Sequence, residues 1–428
     1  MVLSSAPTDE RGWLELRGII HAHSVYSHDA CDDKPRDDAG AINEPCFQDV
    51  RHGICATGHD FVMLTDHGDS FADTEYPEVL LYRADQGDAL VKRDGEPVAN
   101  ELGCPDGHHA LVMAGTETGT MPVGLERHVG DTPEERHSAY SSVTPEAIAS
   151  FKAAGAVALV QHTEDWTVDE LAELPLDGFE MYNLHANTYL AVGEIMALLS
   201  KLNSNPEGLP HPDLAFLPII REDPVYLDLW GSVLARGARR VTTLASDSHQ
   251  NTAWQMLEDG ERIDSFRRIM QLFSNHLLVR PEPDGSWNDR SVKEALRAGR
   301  LFGVFEHLGY ASGFDFHATQ TGQVREMGEE ASISAGATLQ VSMPAVRELS
   351  VRAKQPSLVI RVLRAREGGW DEAVTGTDDV SFAPTEPGAY RAEVRMTPRH
   401  LAPYLGDYEE LASQEVVWIY SNAIYVVP

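Results

Sequence analysis

Cationic side chains are what this sequence has least of: 34 Lys and Arg stand against 67 Asp and Glu, a formal net charge of -33 at pH 7. Grip on a nucleic-acid backbone needs clustered Lys and Arg that displace counterions. Long DNA or RNA is therefore not expected as a partner, and a small molecule is. Most of the acidic excess reads as a well-solvated surface. No run of eighteen apolar residues occurs, so no membrane-spanning helix is expected. Cysteine is limited to Cys31, Cys46, Cys55 and Cys104, none in a Cys-x-x-Cys pair, which argues against a cysteine zinc finger. Two disulfides or four free thiols fit that spacing equally. Met1 to Gly12 holds no apolar signal core. The expected compartment is the cytoplasm if the chain is full length, and the periplasm or the exterior if a leader has been removed. Sustained repeats and low-complexity segments are missing too.

What is present is a chain of 428 residues, long enough for one large domain and a smaller one. Several short apolar runs each end on a residue type that binds metal: 16–20 before His21, 61–65 before Asp66 and His67, 111–116 before Glu117, 157–161 before His162, and 241–246 before Asp247. Runs apolar on both faces suit buried parallel strands, and function at the carboxyl ends of such strands is the pattern of α/β barrels and open α/β sheets. Thr144-Pro145-Glu146, with Ile148 and Phe151 behind it and Gly155 beyond, predicts a capped helix. Further helices are predicted over 188–202, 226–235, 264–273 and 291–298, so β and α elements alternate through about residue 300. Residues 68–109 look like a polar insertion, with Arg93-Asp94-Gly95 among its turn signals. After Gly309 the runs 338–341, 358–363, 389–396 and 416–427 read as strands of a small β-sandwich. The expected division is an α/β domain over 13–309 and a β-sandwich-like domain over 310–428.

His21-Ala22-His23 ends a predicted strand, where residues two apart face the same side and both imidazoles can reach one ion. Alone this is weak evidence in a chain with 18 histidines. It gains weight from the order of residues further along the chain: His28 and Asp29, then Asp66-His67, Glu117, His128, His162 and Asp247-Ser248-His249. The segments HAHSVYSH, TDH, GTE, ERHV, VQH and SDSH resemble the pattern of the PHP superfamily, named for polymerase and histidinol phosphatase, over about residues 18 to 250.

That resemblance implies a distorted seven-stranded (β/α) barrel with three metal ions. His21, His23, Glu117 and Asp247 would bind the first ion, Glu117, His128 and His162 the second, and His28, His67 and His249 the third. His28 stands where similar proteins often carry Asp. The segments Pro387-Gly388-Ala389-Tyr390-Arg391 and 418–425 resemble the carbaryl-hydrolase-like branch, whose members cleave a carbamate ester.

Imidazole-rich ligand sets suit zinc, manganese or iron better than magnesium or calcium, so two to three such divalent ions are expected. They would lower the pKa of a bridging water to about 7, with the hydroxide held at Glu117. Two carboxylates would leave the pocket locally cationic and receptive to an anionic ester. Asp66 is expected to orient a ligand rather than bind metal. Arg127 either clamps a phosphate or carboxylate or makes a structural salt bridge. Asn183 and His185 are candidates for the pocket wall. His52, His59, His108, His109 and His137 read as surface histidines, and Glu306-His307 as structural. The expected activity is metal-dependent hydrolysis, with small phosphoesters first, a carboxyl ester, carbamate or amide as the alternative, and ligand binding without catalysis as the third.

Overall fold

In the computed structural model, which describes Asp9 and residues 11–428, side-chain alternation along β1 (Leu14–Ile20) sets the layering. The reading of the N-terminal segment as lacking a signal core falls largely outside the described residues. Leu14, Leu16 and Ile20 join one buried cluster with alternate residues of β2 (Phe61–Met63), β3 (His109–Glu117), β4 (Met121–Leu125) and β5 (Val157–Leu159). Ile19, Val62 and Val112 point the other way and pack on Phe47, Val50 and Ile54 of α1 (Glu44–Ala56). Burial on both faces is why these runs are continuously apolar. Gly18 is required where β1 meets β2, because a Cβ there would stand 2.5 Å from the Phe61 ring.

The architecture is mixed α/β around one large mixed sheet. β1 runs parallel to β2 and β2 parallel to β3, while β4 is antiparallel to both β3 and β5. Next to β5 lies β6 (Gly178–Asn183), tied by Val160 N to Gly178 O at 3.1 Å and Glu180 N to Val160 O at 3.0 Å. β7 (Val241–Ala245) runs parallel to β6. On the other side of β1, β8 (Ser274–Val279) and β9 (Leu301–Val304) follow antiparallel. Two side-chain amides serve β7 in place of a strand neighbour: Asn275 pairs with both backbone groups of Leu244, and Asn422 with those of Thr242. Asp247 N donates to His21 O at 3.2 Å, which joins the end of β7 to the end of β1.

Several expectations change in detail. The predicted helix after Thr144 spans Pro145–Ala153, with the Thr144 side chain accepting from Ala147 N. The helix predicted over 188–202 is two, α2 (Leu184–Leu190), capped by Asn183, and α3 (Val192–Ser204). That predicted over 264–273 shortens to Phe266–Met270. Residues 68–109 are more than an inserted loop: Ala89–Arg93 and Glu96–Gly103 form a hairpin that adds to the edge of β3. Asp94 and Gly95 both take positive φ, 53° and 93°, as a two-residue turn matched to strand twist demands. The cysteines form two disulfides, Cys31–Cys46 and Cys55–Cys104, which fasten both ends of α1 to its neighbours.

Beyond Gly309 the chain is sheet-rich, and strands of two sheets bury Leu339 and Val341 together with Ile360, Val362 and Val394. Its larger sheet, which includes β10 (Gly388–Thr397) and β11 (Val416–Ser421), is not separate: β11 pairs with β9. Phe302, Val304 and Phe305 belong to the same apolar cluster as Trp418 and Ile419, so the division expected near residue 309 falls inside a continuous sheet and core. Among the described residues no helix is long and apolar enough to cross a membrane.

Candidate metal centre

Three residues at strand ends leave ordinary backbone space: His21 after β1 (φ 75°), His162 after β5 (φ 46°) and Asp247 after β7 (φ 50°). A left-handed conformation costs a residue with a Cβ roughly 1–3 kcal/mol, and here each bend turns a side chain over the carboxyl end of the strands. Among the described residues, three groups have all their donor atoms within 4.8 Å: His21, His23, Glu117 and Asp247; His23, Asp29, His67 and His249; and His162, His185 and Asp247.

In the first two groups several donor pairs have the spacing of ligands around an ion, whereas in the third His162 Nε2 and His185 Nδ1 each stand 3.6 Å from Asp247 Oδ2. Two donors on one ion at about 2.1 Å stand about 3.0–3.4 Å apart in tetrahedral or octahedral geometry. His23 Nε2 lies 3.1 Å from Glu117 Oε2 and 3.3 Å from Asp247 Oδ1, and His21 Nε2 lies 3.1 Å from Asp247 Oδ1. Asp29 Oδ2 is 3.1 Å from His67 Nε2 and 3.3 Å from His249 Nε2. Glu117 reaches across, with Oε2 toward His23 and His67 and Oε1 3.1 Å from His162 Nε2.

The cluster fits a cation on chemical grounds. Asp247 Oδ1 and His249 Nε2 are buried without a hydrogen bond among the described residues, although buried polar atoms are nearly always paired. His21 and His23 aim their Nε2 atoms at each other, 3.2 Å apart. Burial alone would lower His23 and His162, yet their carboxylate partners hold them up at about 9 and about 11. Glu117 and Asp247 lie well below the usual carboxylate range, the raising effect of burial being outweighed by the histidines, His21 foremost. His249, buried beside His23, is down at about 4. Three carboxylates therefore draw positive charge into a site where, among the described residues, no Lys or Arg pairs with them.

Residues around the ligands settle which ring nitrogen faces the site. Glu180 Oε1 is 2.5 Å from His21 Nδ1 and is itself held by Asn183 Nδ2 at 3.0 Å. Ser27 Oγ meets His23 Nδ1, the Asp247 carbonyl accepts from His249 Nδ1, and Glu164, held by Tyr226, meets His162 Nδ1. A proton kept on Nδ1 leaves the Nε2 lone pair free for an ion. Glu180 escaped the sequence reading, although a carboxylate inside the apolar run of β6 was a signal. Asp66 accepts from Ser24 N at 2.5 Å and Ser24 Oγ at 2.7 Å, which anchors the loop after β1.

Not every predicted site residue arrives. His28 is 56% exposed and turned to Asp69, and Asp29 takes the expected place, oriented by Ser27 Oγ at 3.1 Å. His128 stands apart from all three groups: Nε2 donates to Thr74 O, Nδ1 accepts from Tyr140 Oη, and the ring packs on Phe71 and Tyr76. With both nitrogens engaged it holds the turn after β4. Arg127 donates to Ala153 O and makes no salt bridge among the described residues. Asn183 donates to Asp247 Oδ2 at 3.2 Å, and half-exposed His185 lies 3.6 Å from the same oxygen. His59, expected at the surface, is fully buried.

Beside the groups lies a small cavity of about 110 Å³ with His185, Asp247 and His249 at its base and Leu184, Phe216 and Ile269 in its wall. Among the described residues no Lys or Arg lines it. Searches of protein-family models, of curated proteins and of solved structures return no match for this chain.

Proposed function

We propose that this chain is a metal-dependent hydrolase of small esters, built on a distorted (β/α)7 barrel of the PHP kind. The observation that carries the reading is the convergence of six histidines and three carboxylates with orphaned donor atoms and no cation of their own among the described residues. The barrel reading is supported by the circuit from β1 through β7 and back through Asp247 N and His21 O. Zinc, manganese or iron ions, when bound, acidify water and stabilise charge on the oxygens of the reacting ester. Glu117 and Asp247 would each serve two ions, Glu180 and Glu164 would hold the imidazoles in the ligating tautomer, and Asn183 and His185 stand at the pocket's edge.

Three observations favour the carboxyl-ester or carbamate alternative over a phosphoester. The wall beside the groups places Leu184, Phe216 and Ile269 among uncharged polar residues and the carboxylate Asp264, Arg127 is directed elsewhere, and Asp29 adds a third carboxylate that reduces the positive charge available to an anionic substrate. Paired cysteines are usual in oxidising compartments, which favours the periplasm or the exterior.

The test is hydrolysis of chromogenic phosphate monoester, phosphate diester, carboxyl ester and carbamate by metal-loaded protein, with His162→Ala as the control for contaminating enzymes. Turnover of the carbonyl esters alone, lost in the variant, is the expected result. Dominant phosphate turnover returns the assignment to a phosphoesterase. If fully loaded protein cleaves none of them, the chain is a metal-binding protein rather than a hydrolase of these classes.

A further inference from the structure

A second cavity lies between α3, the segment 217–222 and the C-terminal sheet, and shares no lining residue with the pocket at the metal centre. It holds about 490 Å³, within the roughly 300–1,000 Å³ of small-molecule sites. Much of its wall is aliphatic, with Leu217, Ile220, Leu308, Leu411, Val416 and Val417. His307 also lines it while only 8% exposed. Its Nδ1 is 3.2 Å from Leu272 O. A carbonyl oxygen only accepts, so Nδ1 carries the proton. Burial, which holds the ring down at about 4, keeps it neutral at physiological pH. Nε2 is thereby an acceptor, and it makes no hydrogen bond among the described residues.

The charge around this cavity is one-sided. Glu194, Glu222, Glu410 and Glu415 line it against Arg221 alone. Arg221 is paired with Glu194, and Glu222 and Glu415 share Arg395. Glu410, at the exposed rim, has neither ion pair nor hydrogen bond among the described residues.

We infer that this cavity binds a small amphiphilic ammonium, a protonated amine on an apolar or aromatic body. The body lies among the aliphatic side chains, and the N–H groups meet the acceptors left free, His307 Nε2 and Glu410. With Glu194, Glu222 and Glu415 paired to arginines, the unpaired charge an anion of the same shape would meet among the described lining residues is the Glu410 carboxylate, and a neutral molecule would forgo the ion pair with it.

Three indoles that differ in the head group provide the test: tryptamine, tryptophol and indole-3-propionate, titrated calorimetrically into the full chain at neutral pH. Tryptamine binds tightest, tryptophol about fivefold weaker for want of the charge, and indole-3-propionate weakest. His307→Phe, which keeps the ring volume, weakens tryptamine about fivefold, and Leu411→Trp, a change at a half-buried site that fills the cavity, abolishes binding with the thermal midpoint retained. Absence of binding by all three probes overturns the inference. So does an anion that binds as tightly as the amine, or a folded Leu411→Trp variant that binds like wild type.

Discussion

Two buried clusters of charge, one at the carboxyl ends of β1, β3, β5 and β7 and one on the C-terminal sheet, solve the same electrostatic problem differently. On β10, Arg391 is almost wholly buried, lies 3.0 Å from Glu393, and stacks its guanidinium within 5 Å of the rings of Trp230, Trp370 and Tyr420. Arg391 Nε and Nη1 lack hydrogen bonds among the described residues, but the faces of three aromatic rings meet the cation. Arg395 joins Glu222 and Glu415 close by. Here the chain supplies cation and anion together, and the cluster is complete as folded. At the candidate metal centre the chain supplies carboxylates and imidazole nitrogens only. The lesson is that orphaned atoms carry functional meaning when they are all electron donors aimed at one point, and structural meaning when the missing partner is a π face.

Asp247→Ala takes a candidate ligand from two groups at once. Metal content should fall and hydrolysis should drop by at least about 10³-fold, the several kcal/mol that bound ions contribute to a hydrolytic barrier, while circular dichroism stays that of a folded chain. A variant that keeps both metal and rate would place the active ions elsewhere. Arg391→Met should act the opposite way. It takes one of two close cations from buried Glu393, which keeps Arg395 Nη1 at 3.0 Å, costs less than the roughly 3–5 kcal/mol of a fully stranded charge, and leaves metal stoichiometry of the folded protein unchanged; metal loss without destabilisation would contradict the structural role.

Glu180→Gln should weaken metal affinity about 10–100-fold in chelator competition, as loss of a partner to a ligating histidine does. Asp29→Ala should reduce metal content where His28→Ala does not, and the reverse outcome would restore His28 as the ligand. The smallest effect concerns His276, a buried histidine with protein partners instead of a metal. Burial alone would lower it, but Glu15 and Glu306 raise it from 6.5 to about 9. Its folded-state pKa is the higher one, so its contribution is complete below about pH 6.5 and is lost as pH rises through about 9. Glu306, held down at about 2 despite burial by Arg17 and His276, contributes fully above about pH 4.5 and loses that contribution as the pH falls from there through about 2. The thermal midpoint of wild type should fall across the alkaline window by more than that of His276→Gln, and parallel curves would remove His276 from the account.

The residues themselves determined where strands end and which chemistry gathers there. Strands buried on both faces must be locally apolar, so 16–20, 111–116 and 241–246 stand out without any knowledge of their neighbours, and His21, His23, Glu117, His162, Asp247 and His249 are found by their position at those ends. Tertiary structure decided between adjacent candidates. His28 and Asp29 are one residue apart, and only the turn after Ser27 directs Asp29 inward. His128 belongs to the expected order, but the turn after β4 carries it to Thr74 and Tyr140. Glu180 gained its role from a strand 159 residues away from His21 in the chain. The hairpin over 89–103 was hidden because its pairing with β3, rather than an apolar pattern of its own, makes it a strand pair. Cysteine pairing depends on which loops α1 brings together. Donor type is local chemistry, whereas the direction of a side chain and its partner's approach are properties of the assembled backbone.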